Sequence, residues 1–311
     1  MAAPKILCDT AGMDRKTWLA VRAHGPDGSI PITIGGSDVA AIFGISPWKT
    51  PLDLWLEKSG KLLPNESENI WQKEIGHLLE PVVAKMYAFR TGHRVIPDTY
   101  LYQHALYPWA LANVDYSMED KDTKEAGGLE CKTTAYHNAD EWTDDKVPMH
   151  YEYQCRFYMG VRDLPFWDIA CMWGNGEKDF PIRRIYRDFA IEEMIFETIA
   201  AFIQSIHNNQ PPSMADVAPA LAMKSLARIY AAGTLATPTI EFGRKHERPI
   251  RRIAALQQMN RDLDLRSDKM KRRLWHYRCK SRIPCESMNT AYWKRLWSGS
   301  RSTIRHRTKG V

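Results

Sequence analysis

The chain has 311 residues, with 43 basic and 37 acidic side chains and 44% hydrophobic residues, an ordinary globular composition. No apolar run reaches the ~20 residues that span a bilayer, and the N-terminus lacks the basic-then-apolar pattern of a secretion signal. A transmembrane protein is therefore excluded, and we expect no membrane contact and a cytoplasmic location. The six cysteines lack Cys-x-x-Cys spacing, which favours free thiols over a disulfide framework or a zinc site.

Charge is unevenly distributed along the chain. Residues 244–311 contain 20 Lys and Arg and 5 Asp and Glu, a net charge of +15, which leaves −9 for residues 1–243. A basic tail on an acidic body indicates contact with nucleic acid, because phosphates attract such a tail. The alternative interpretation is a solvated helical face without a specific partner.

Apolar spacing and capping residues predict the helices of the N-terminal third. They cover 13–22, a segment from the N-cap candidates Ser37 and Asp38 through Ile42, a segment that opens at Thr50-Pro51, and 70–91. Pro81 predicts a kink or a helix start within the last of these. The tryptophans of this region lie in apolar stripes, which predicts core positions rather than base-stacking platforms for Trp48, Trp55 and Trp71.

Strands and helices alternate in the middle of the chain. Strands are predicted at 95–96, 100–102, 111–116, 128–133, 166–173 and 180–189, and helices at 150–161 and 191–207. The charged segment 119–127 predicts the turn of a hairpin. This order of elements predicts an α/β core in which a mixed sheet is flanked by helices.

The double proline that ends Asn208–Pro212 marks a predicted domain boundary. We expect a body over residues 1–213, a helix and linker over 214–243, and a basic, mainly helical region over 244–311. In this last region, residues 250–275 predict a long basic helix. Such a helix could pack on the body, pair with another helix or lie along DNA phosphates, and the sequence leaves these three uses open.

The candidate chemistry centres on Asp115 and on a Glu-x-Lys pair, Glu130 and Lys132. Since side chains alternate along a strand, Glu130 and Lys132 share one face. If the charged segment is a hairpin turn, Asp115 lies beside Glu130. Two close carboxylates repel each other unless a proton or a cation bridges them. Mg²⁺, with Mn²⁺ as a substitute, is the natural cation because it takes oxygen ligands, and the Cys131 carbonyl could add one.

Such a site suits phosphodiester hydrolysis. A bound metal polarises the phosphoryl oxygen and lowers the pKa of water. Lys132 would hold or deprotonate the attacking water and offset the developing negative charge. Glu80, beside Pro81 on an apolar helix, is a candidate further ligand, either directly or through water. The alternative is a surface ion pair on an edge strand without function.

Several segments together resemble the YqaJ-type phage recombination nucleases, relatives of lambda exonuclease within the PD-(D/E)XK nucleases. In order, they are IGGSDVAAIFGISPWKTPLDLW, GHLLEPVVAKMY, ANVDYSM, LECKT, VPMHYEYQCRFYMG with FWDIACMW, and NNQPP. The resemblance runs from about Trp18 to Pro212. It implies a restriction-endonuclease-like PD-(D/E)XK core within residues 1–213, to which the basic region adds a helical C-terminal extension.

The resemblance also implies roles for single residues at the catalytic centre. Glu80 matches the family's helix glutamate near the metals, and Asp115 matches its metal-bridging aspartate. Glu130 and Lys132 match the Glu-x-Lys pair, and Gln154 matches a glutamine near the catalytic centre. For Gln154 the alternative is a satisfied buried amide.

Two further residues resemble those that grip the 5′-phosphate of a strand end in lambda-type enzymes. They are Arg22 in WLAVR and Ser37 in GGSD. An arginine fork and a hydroxyl at a helix N-terminus form an anion site. The alternative for Ser37 is a helix cap and nothing more.

The resemblance implies a Mg²⁺-dependent DNA nuclease, most simply a 5′-to-3′ exonuclease that resects linear duplex ends for phage-type recombination. It further implies a ring-shaped trimer, a single-strand annealing recombinase as partner and, if the gene is phage or prophage encoded, a bacterial host cytoplasm. Two alternatives stay open. One is an endonuclease or structure-specific nuclease with the same site, and the other is a catalytically silent DNA-binding or assembly protein.

Overall fold

The structure is a computed structural model that forms two units, Met1–Ala236 and Thr237–Val311. It describes residues 3–64, 70–135, 140–142, 145–174, 180–214 and 217–231, together with 251–252, 255–256, 258–259, 262–263, 265–267 and 269–270. The described residues of the second unit are helical and exposed. The rest of the predicted basic helix lies outside the described residues, and the domain limits at 213 and 243 stay predictions.

Helices and strands of the first unit follow the predicted order, except that the first strand was not predicted. The helices are α1 (Arg15–His24), α2 (Gly36–Ile42), α3 (Pro51–Lys58), α4 (Ile70–Thr91), α5 (Met149–Arg162), α6 (Phe189–His207) and α7 (Pro219–Ala231). The strands are β1 (Lys5–Asp9), β2 (Arg94–Pro97), β3 (Tyr100–Gln103), β4 (Leu111–Asn113), β5 (Tyr116–Glu119), β6 (Ala126–Thr134), β7 (Phe166–Trp173) and β8 (Ile182–Tyr186). None of the helices among the described residues is both long and apolar enough to cross a bilayer.

The main sheet is mixed, as predicted. Its strand order is β2-β5-β6-β7-β8. The central pair β6–β7 is parallel, and the other neighbours are antiparallel. A smaller antiparallel sheet has the order β1-β3-β4. The β5–β6 pair confirms the hairpin expected from the charged segment.

Helices cover both faces of the main sheet. Leu129 and Cys131 of β6 belong to a buried cluster that includes Val83 and Tyr87 of α4. On the opposite face, alternate residues of β7 pack in a cluster with α5 and α6; the β7 members are Trp167, Ile169 and Cys171. Because β7 is covered on both faces, its sequence is apolar apart from Asp168, whose buried carboxylate is paired with Arg184.

The predicted strand 111–116 is two strands in two sheets. β4 ends at Asn113 in the small sheet, and β5 begins at Tyr116 in the main sheet. Between them, the Asp115 carboxylate accepts a hydrogen bond from the backbone N–H of Cys131 at 3.1 Å. The Asn113 side chain, in turn, accepts one from the indole of Trp18 at 2.9 Å. These hydrogen bonds to distant residues lie where the chain passes from one sheet to the other. The apolar pattern of residues 111–116 alone does not predict them.

Two predicted helix starts are wrong. Gly35, not Ser37, is the N-cap of α2, and the Asp38 carboxylate accepts a 3.2 Å hydrogen bond from the Gly35 N–H. Glycine is an accepted N-cap residue, and the Asp38 carboxylate pairs with the N–H of Gly35 as in a capping box. Ser37 lies inside the first turn. For Pro81, the alternative of a helix start is wrong because this residue lies inside α4, and the alternative of a kink stays a prediction.

The core positions predicted for the three tryptophans hold only for Trp55, which is buried. Trp48 is 56% exposed in the loop before α3, and Trp71 is 75% exposed at the start of α4. Both follow apolar spacing, but no layer built from the described residues buries either ring. The apolar pattern of a sequence does not distinguish a covered helix face from an open one.

Gly36 is a point of close approach between α2 and α5. A Cβ atom there would lie 2.5 Å from Cε1 of Tyr158. We expect Gly36→Ala to lower the free energy of unfolding by about 1–3 kcal/mol, the usual cost of overpacking. Urea denaturation followed by circular dichroism measures this change.

Gly76→Ala is the matched control, because a Cβ atom there meets nothing within 4 Å inside α4. Replacing a helical glycine that has free space around it should raise the free energy of unfolding by up to about 1 kcal/mol. Equal effects of the two substitutions would contradict the close contact at Gly36.

Candidate active site

The Glu-x-Lys pair of β6 meets α5 at a buried carboxylate. Lys132 Nζ lies 2.5 Å from Oε1 of Glu130, and the Gln154 amide donates a 2.7 Å hydrogen bond to the same oxygen. Gln154 also donates to the Tyr158 hydroxyl at 3.1 Å. Strand alternation correctly predicts that Glu130 and Lys132 share a face. That face is covered rather than open, since Glu130 is only 2% exposed.

The second oxygen of Glu130 lacks such donors. Within the described part of the chain, Oε2 is buried and accepts no hydrogen bond. Leaving a buried carboxylate oxygen unsatisfied is costly unless a cation or another donor reaches it. The atom is therefore available as a ligand for a hard cation.

Asp115 and Glu80 complete the acidic group. The Asp115 carboxylate is anchored on the N–H of Cys131, between the two members of the pair. Glu80 projects from α4 and lies 3.0 Å from Nδ1 of His77. Its charge is near enough to raise the pKa of Asp115. The structure thus brings the predicted acids into one electrostatic cluster around β6.

The acids of this cluster resist ionisation. Burial, reinforced by the charge of Asp115, raises the pKa of Glu130 to about 7. Burial, reinforced by Glu80, raises the pKa of Asp115 to about 6 although Lys132 opposes the shift. Burial also raises the pKa of Glu80. Three carboxylates face one ammonium here, so the cluster carries excess negative charge when ionised.

Lys132 is held as a cation. Burial favours loss of its proton, but the charges of Glu130 and Asp115 outweigh burial and raise the pKa of Lys132 above its usual value. The ammonium also lies 4.9 Å from the centre of the Tyr151 ring, within the range of a cation–π contact. In this arrangement Lys132 donates hydrogen bonds and does not accept protons.

The acids do not form a closed metal cage. Among the described residues, no three His, Cys, Asp or Glu side chains are grouped closely enough to hold an ion together. Mg²⁺ is commonly held by one or two carboxylates, with water and substrate phosphate as the other ligands. An open site with the carboxylates of Asp115 and Glu130 matches this kind of Mg²⁺ site better than it matches a closed structural metal site.

The predicted phosphate-binding residues lie around the start of α2. Ser37 is an exposed residue of the first turn. Arg22 reaches the same place, since its Nη2 would be 3.3 Å from a Cβ atom on Gly35. The Arg22 guanidinium stacks 4.4 Å above the Trp18 ring. Its positive charge partly opposes the rise that burial causes in the pKa of Asp115. The fold therefore brings Arg22 near both Ser37 and the acids.

Sequence reasoning missed several residues that touch the cluster. Tyr151 and Tyr158 of α5 contact Lys132 and Gln154, and His77 of α4 contacts Glu80. A signal for the tyrosines was present, because Tyr151, Gln154 and Tyr158 are spaced three and four residues apart and so share one helix face. The spacing alone does not show that this helix face packs against Glu130 and Lys132 of β6, which the structure shows.

Residues 17–164 match the family described as YqaJ-like viral recombinase domain. A Bacillus subtilis (strain 168) protein, the uncharacterized protein YqaJ, is 34% identical over 198 residues, which cover 64% of this chain and 58% of that protein. The matched part thus spans less than two thirds of this relative.

Solved structures similar to this fold include an alkaline exonuclease, LHK-Exo, from Laribacter hongkongensis. Its crystal structure covers 70% of this chain and 98% of its own, at 18% identity and a TM-score of 0.49. The structure of LHK-Exo in complex with dAMP covers 63% and 94%, at 18% identity and a TM-score of 0.50. The LHK-Exo complex shares the fold of this chain, which confirms the predicted α/β fold class with a mixed sheet flanked by helices.

The raised pKa of Glu130 makes stability depend on pH. When a carboxyl has a higher pKa in the folded state than in the unfolded state, the free energy of unfolding falls as pH rises from the unfolded pKa to the folded one. In EDTA, we expect the free energy of unfolding to fall between pH 5 and pH 8. Glu130→Gln should reduce that fall by up to about 3 kcal/mol. Urea titrations at both pH values measure it.

Glu125→Gln, an exposed site in the β5–β6 turn, is the control and should leave the pH dependence unchanged. If Glu130→Gln gave the same pH dependence as the unmodified chain, Glu130 would not carry the raised pKa.

Proposed function

We propose that this protein is a metal-dependent nuclease that hydrolyses phosphodiester bonds of DNA, because residues 17–164 match the YqaJ-like viral recombinase domain. The observation that carries the proposal is the buried Glu130 carboxylate, which accepts hydrogen bonds from Lys132 and Gln154 and lies within the electrostatic range of Asp115. A surface ion pair on an edge strand, the alternative from sequence, does not fit a carboxylate that is 2% exposed on a central strand.

The donor set fits Mg²⁺, with Mn²⁺ as a substitute. Asp115 and Glu130 would hold the ion together with the Cys131 carbonyl, and Glu80 would act directly or through water. The unsatisfied Oε2 of Glu130 and the excess negative charge of the cluster both favour a hard cation. When bound, such an ion supplies Lewis-acid stabilisation of a phosphoryl oxygen.

The remaining residues act as hydrogen-bond donors. Lys132 is an ammonium in the observed arrangement, so it orients a water molecule and offsets negative charge that develops on phosphate. This favours the first of its two predicted roles over that of a base. Gln154 fixes one oxygen of Glu130 and leaves the other oxygen available.

We further propose 5′-to-3′ exonuclease action on linear duplex ends for phage-type recombination. Arg22 and Ser37 would bind the 5′-phosphate, which is supported by their common place at the start of α2. A ring-shaped trimer and a single-strand annealing recombinase as partner belong to the same proposal, and rest on the family resemblance alone. Endonuclease action at the same site is the alternative that the experiment below distinguishes.

Lys132→Ala should abolish most of the activity. Removing one preorganised donor from such a site typically costs about 100-fold or more in rate. The measurement is loss of a 5′-phosphorylated linear duplex in Mg²⁺ or EDTA, with covalently closed circular DNA alongside. We expect metal-dependent loss of the linear form only, and almost none with Lys132→Ala.

Lys121→Ala removes an exposed lysine in the β5–β6 turn and should keep full activity. Equal activity of Lys132→Ala and the unmodified chain would reject the site. Cutting of the circular DNA would reject the exonuclease mode and keep the nuclease.

The basic region 244–311 predicts a salt-dependent contribution to DNA binding. Each phosphate neutralised by Lys or Arg releases counterions, so the logarithm of affinity falls linearly with the logarithm of salt concentration. Deleting residues 244–311, which carry a net +15, should make that slope shallower. Fluorescence anisotropy with labelled duplex at several KCl concentrations measures it, and an unchanged slope would show that this region contacts no phosphates.

A further inference from the structure

Trp48 presents a large aromatic surface to solvent. Its side chain is 56% exposed, in the loop between α2 and α3. A flat ring with both faces covered exposes only its edge, so this degree of exposure leaves at least one indole face open. The backbone N–H groups of Trp48 and Lys49 both donate to Ser46 Oγ at 3.2 Å, which fixes the turn that carries the ring.

The exposed ring is connected to the catalytic cluster by aromatic contacts. The indole packs edge-on against the His150 ring, with 5.1 Å between centroids, and lies 6.2 Å from the Tyr151 ring. The His150 and Tyr151 rings are 4.0 Å apart. The Lys132 ammonium lies 4.9 Å from the centre of the Tyr151 ring. Trp48 is thus the outermost ring of a series that ends at Lys132.

We infer that Trp48 is a stacking platform for a nucleobase of the DNA strand whose phosphate is bound at the Glu130–Lys132 pair. The inference rests on the proposed nuclease function. Aromatic side chains hold single-stranded nucleic acid by stacking on bases, and they do so for every base because every base has a π-face. The open face of the Trp48 indole is therefore suited to stack on an unpaired base next to a strand end. The Trp48 ring is next to Tyr151, which contacts Lys132.

His150 supports this assignment. Burial and the nearby Lys132 charge lower the pKa of His150 to about 4, so the ring beneath the indole is neutral at ordinary pH. A neutral ring holds the indole in place without adding a charge of its own. The positive charge available to phosphate then comes from Lys132 and Arg22, and the apolar surface available to a base comes from Trp48.

The experiment combines protein variants with DNA that lacks one base. The probe is a 5′-phosphorylated duplex with a short frayed end, in which each nucleotide nearest the end is replaced in turn by an abasic site. Binding is measured by anisotropy in EDTA, where no metal-dependent cleavage occurs. With the unmodified protein, one abasic position should weaken binding by about 5- to 100-fold, the range of a stacking contact.

Trp48→Ala should weaken binding to intact DNA by the same factor and should show no further loss on the DNA that is abasic at that position. Trp48→Phe, which keeps a ring, should retain most of the affinity. Trp71→Ala, which removes an exposed indole from the first turn of α4, is the matched control and should change nothing. In Mg²⁺, Trp48→Ala should raise KM and leave kcat nearly unchanged.

Two outcomes overturn the stacking contact. One is binding by Trp48→Ala equal to that of the unmodified protein, and the other is additive losses from Trp48→Ala and the abasic site. Either result, with DNA cleavage by the unmodified protein intact, rejects the inference and keeps the proposed function. Absence of cleavage by the unmodified protein rejects the proposed function, while the binding comparison still decides whether Trp48 holds a base.

Discussion

The buried Glu130 carboxylate is the constraint around which the first unit is organised. Burying a carboxylate is costly unless its charge is compensated. Here Lys132 and Gln154 satisfy one oxygen, and the charge of Asp115 adds to the cost of ionising the group. The fold thus compensates this group only in part, which is a property of functional sites more often than of structural ion pairs. In the proposed function, a bound cation would complete this compensation.

Strand alternation and close packing together place that carboxylate. β6 sends Leu129 and Cys131 toward α4 and, between them, Glu130 toward α5. The α5 side is then fixed by Tyr158, whose ring leaves no room for a Cβ atom on Gly36. Gly36 of α2 therefore allows α5 to approach closely, and α5 carries Gln154, which hydrogen-bonds Glu130.

Local patterns predicted the parts of the site that depend on neighbours in sequence. The shared face of Glu130 and Lys132 follows from alternation, and the β5–β6 hairpin follows from a charged turn. The parts that depend on distant contacts were not predictable in this way. Asp115 lies outside both strands, where its carboxylate accepts a hydrogen bond from the N–H of Cys131, and Trp48 is exposed because none of the described elements buries its ring. Neither fact has a signal within a short window of sequence.

DNA meets two kinds of attraction in the proposed function, and they act over different ranges. The charge of residues 244–311, a net +15, attracts phosphate at a distance and is screened by salt. When ionised, the acidic cluster repels phosphate until a divalent cation offsets its negative charge, so long-range attraction alone cannot position a strand at Glu130. Short-range contacts must do so, and the Lys132 ammonium and the exposed Trp48 ring supply one for phosphate and one for a base. A basic tail and an acidic site are therefore compatible within one DNA-processing chain.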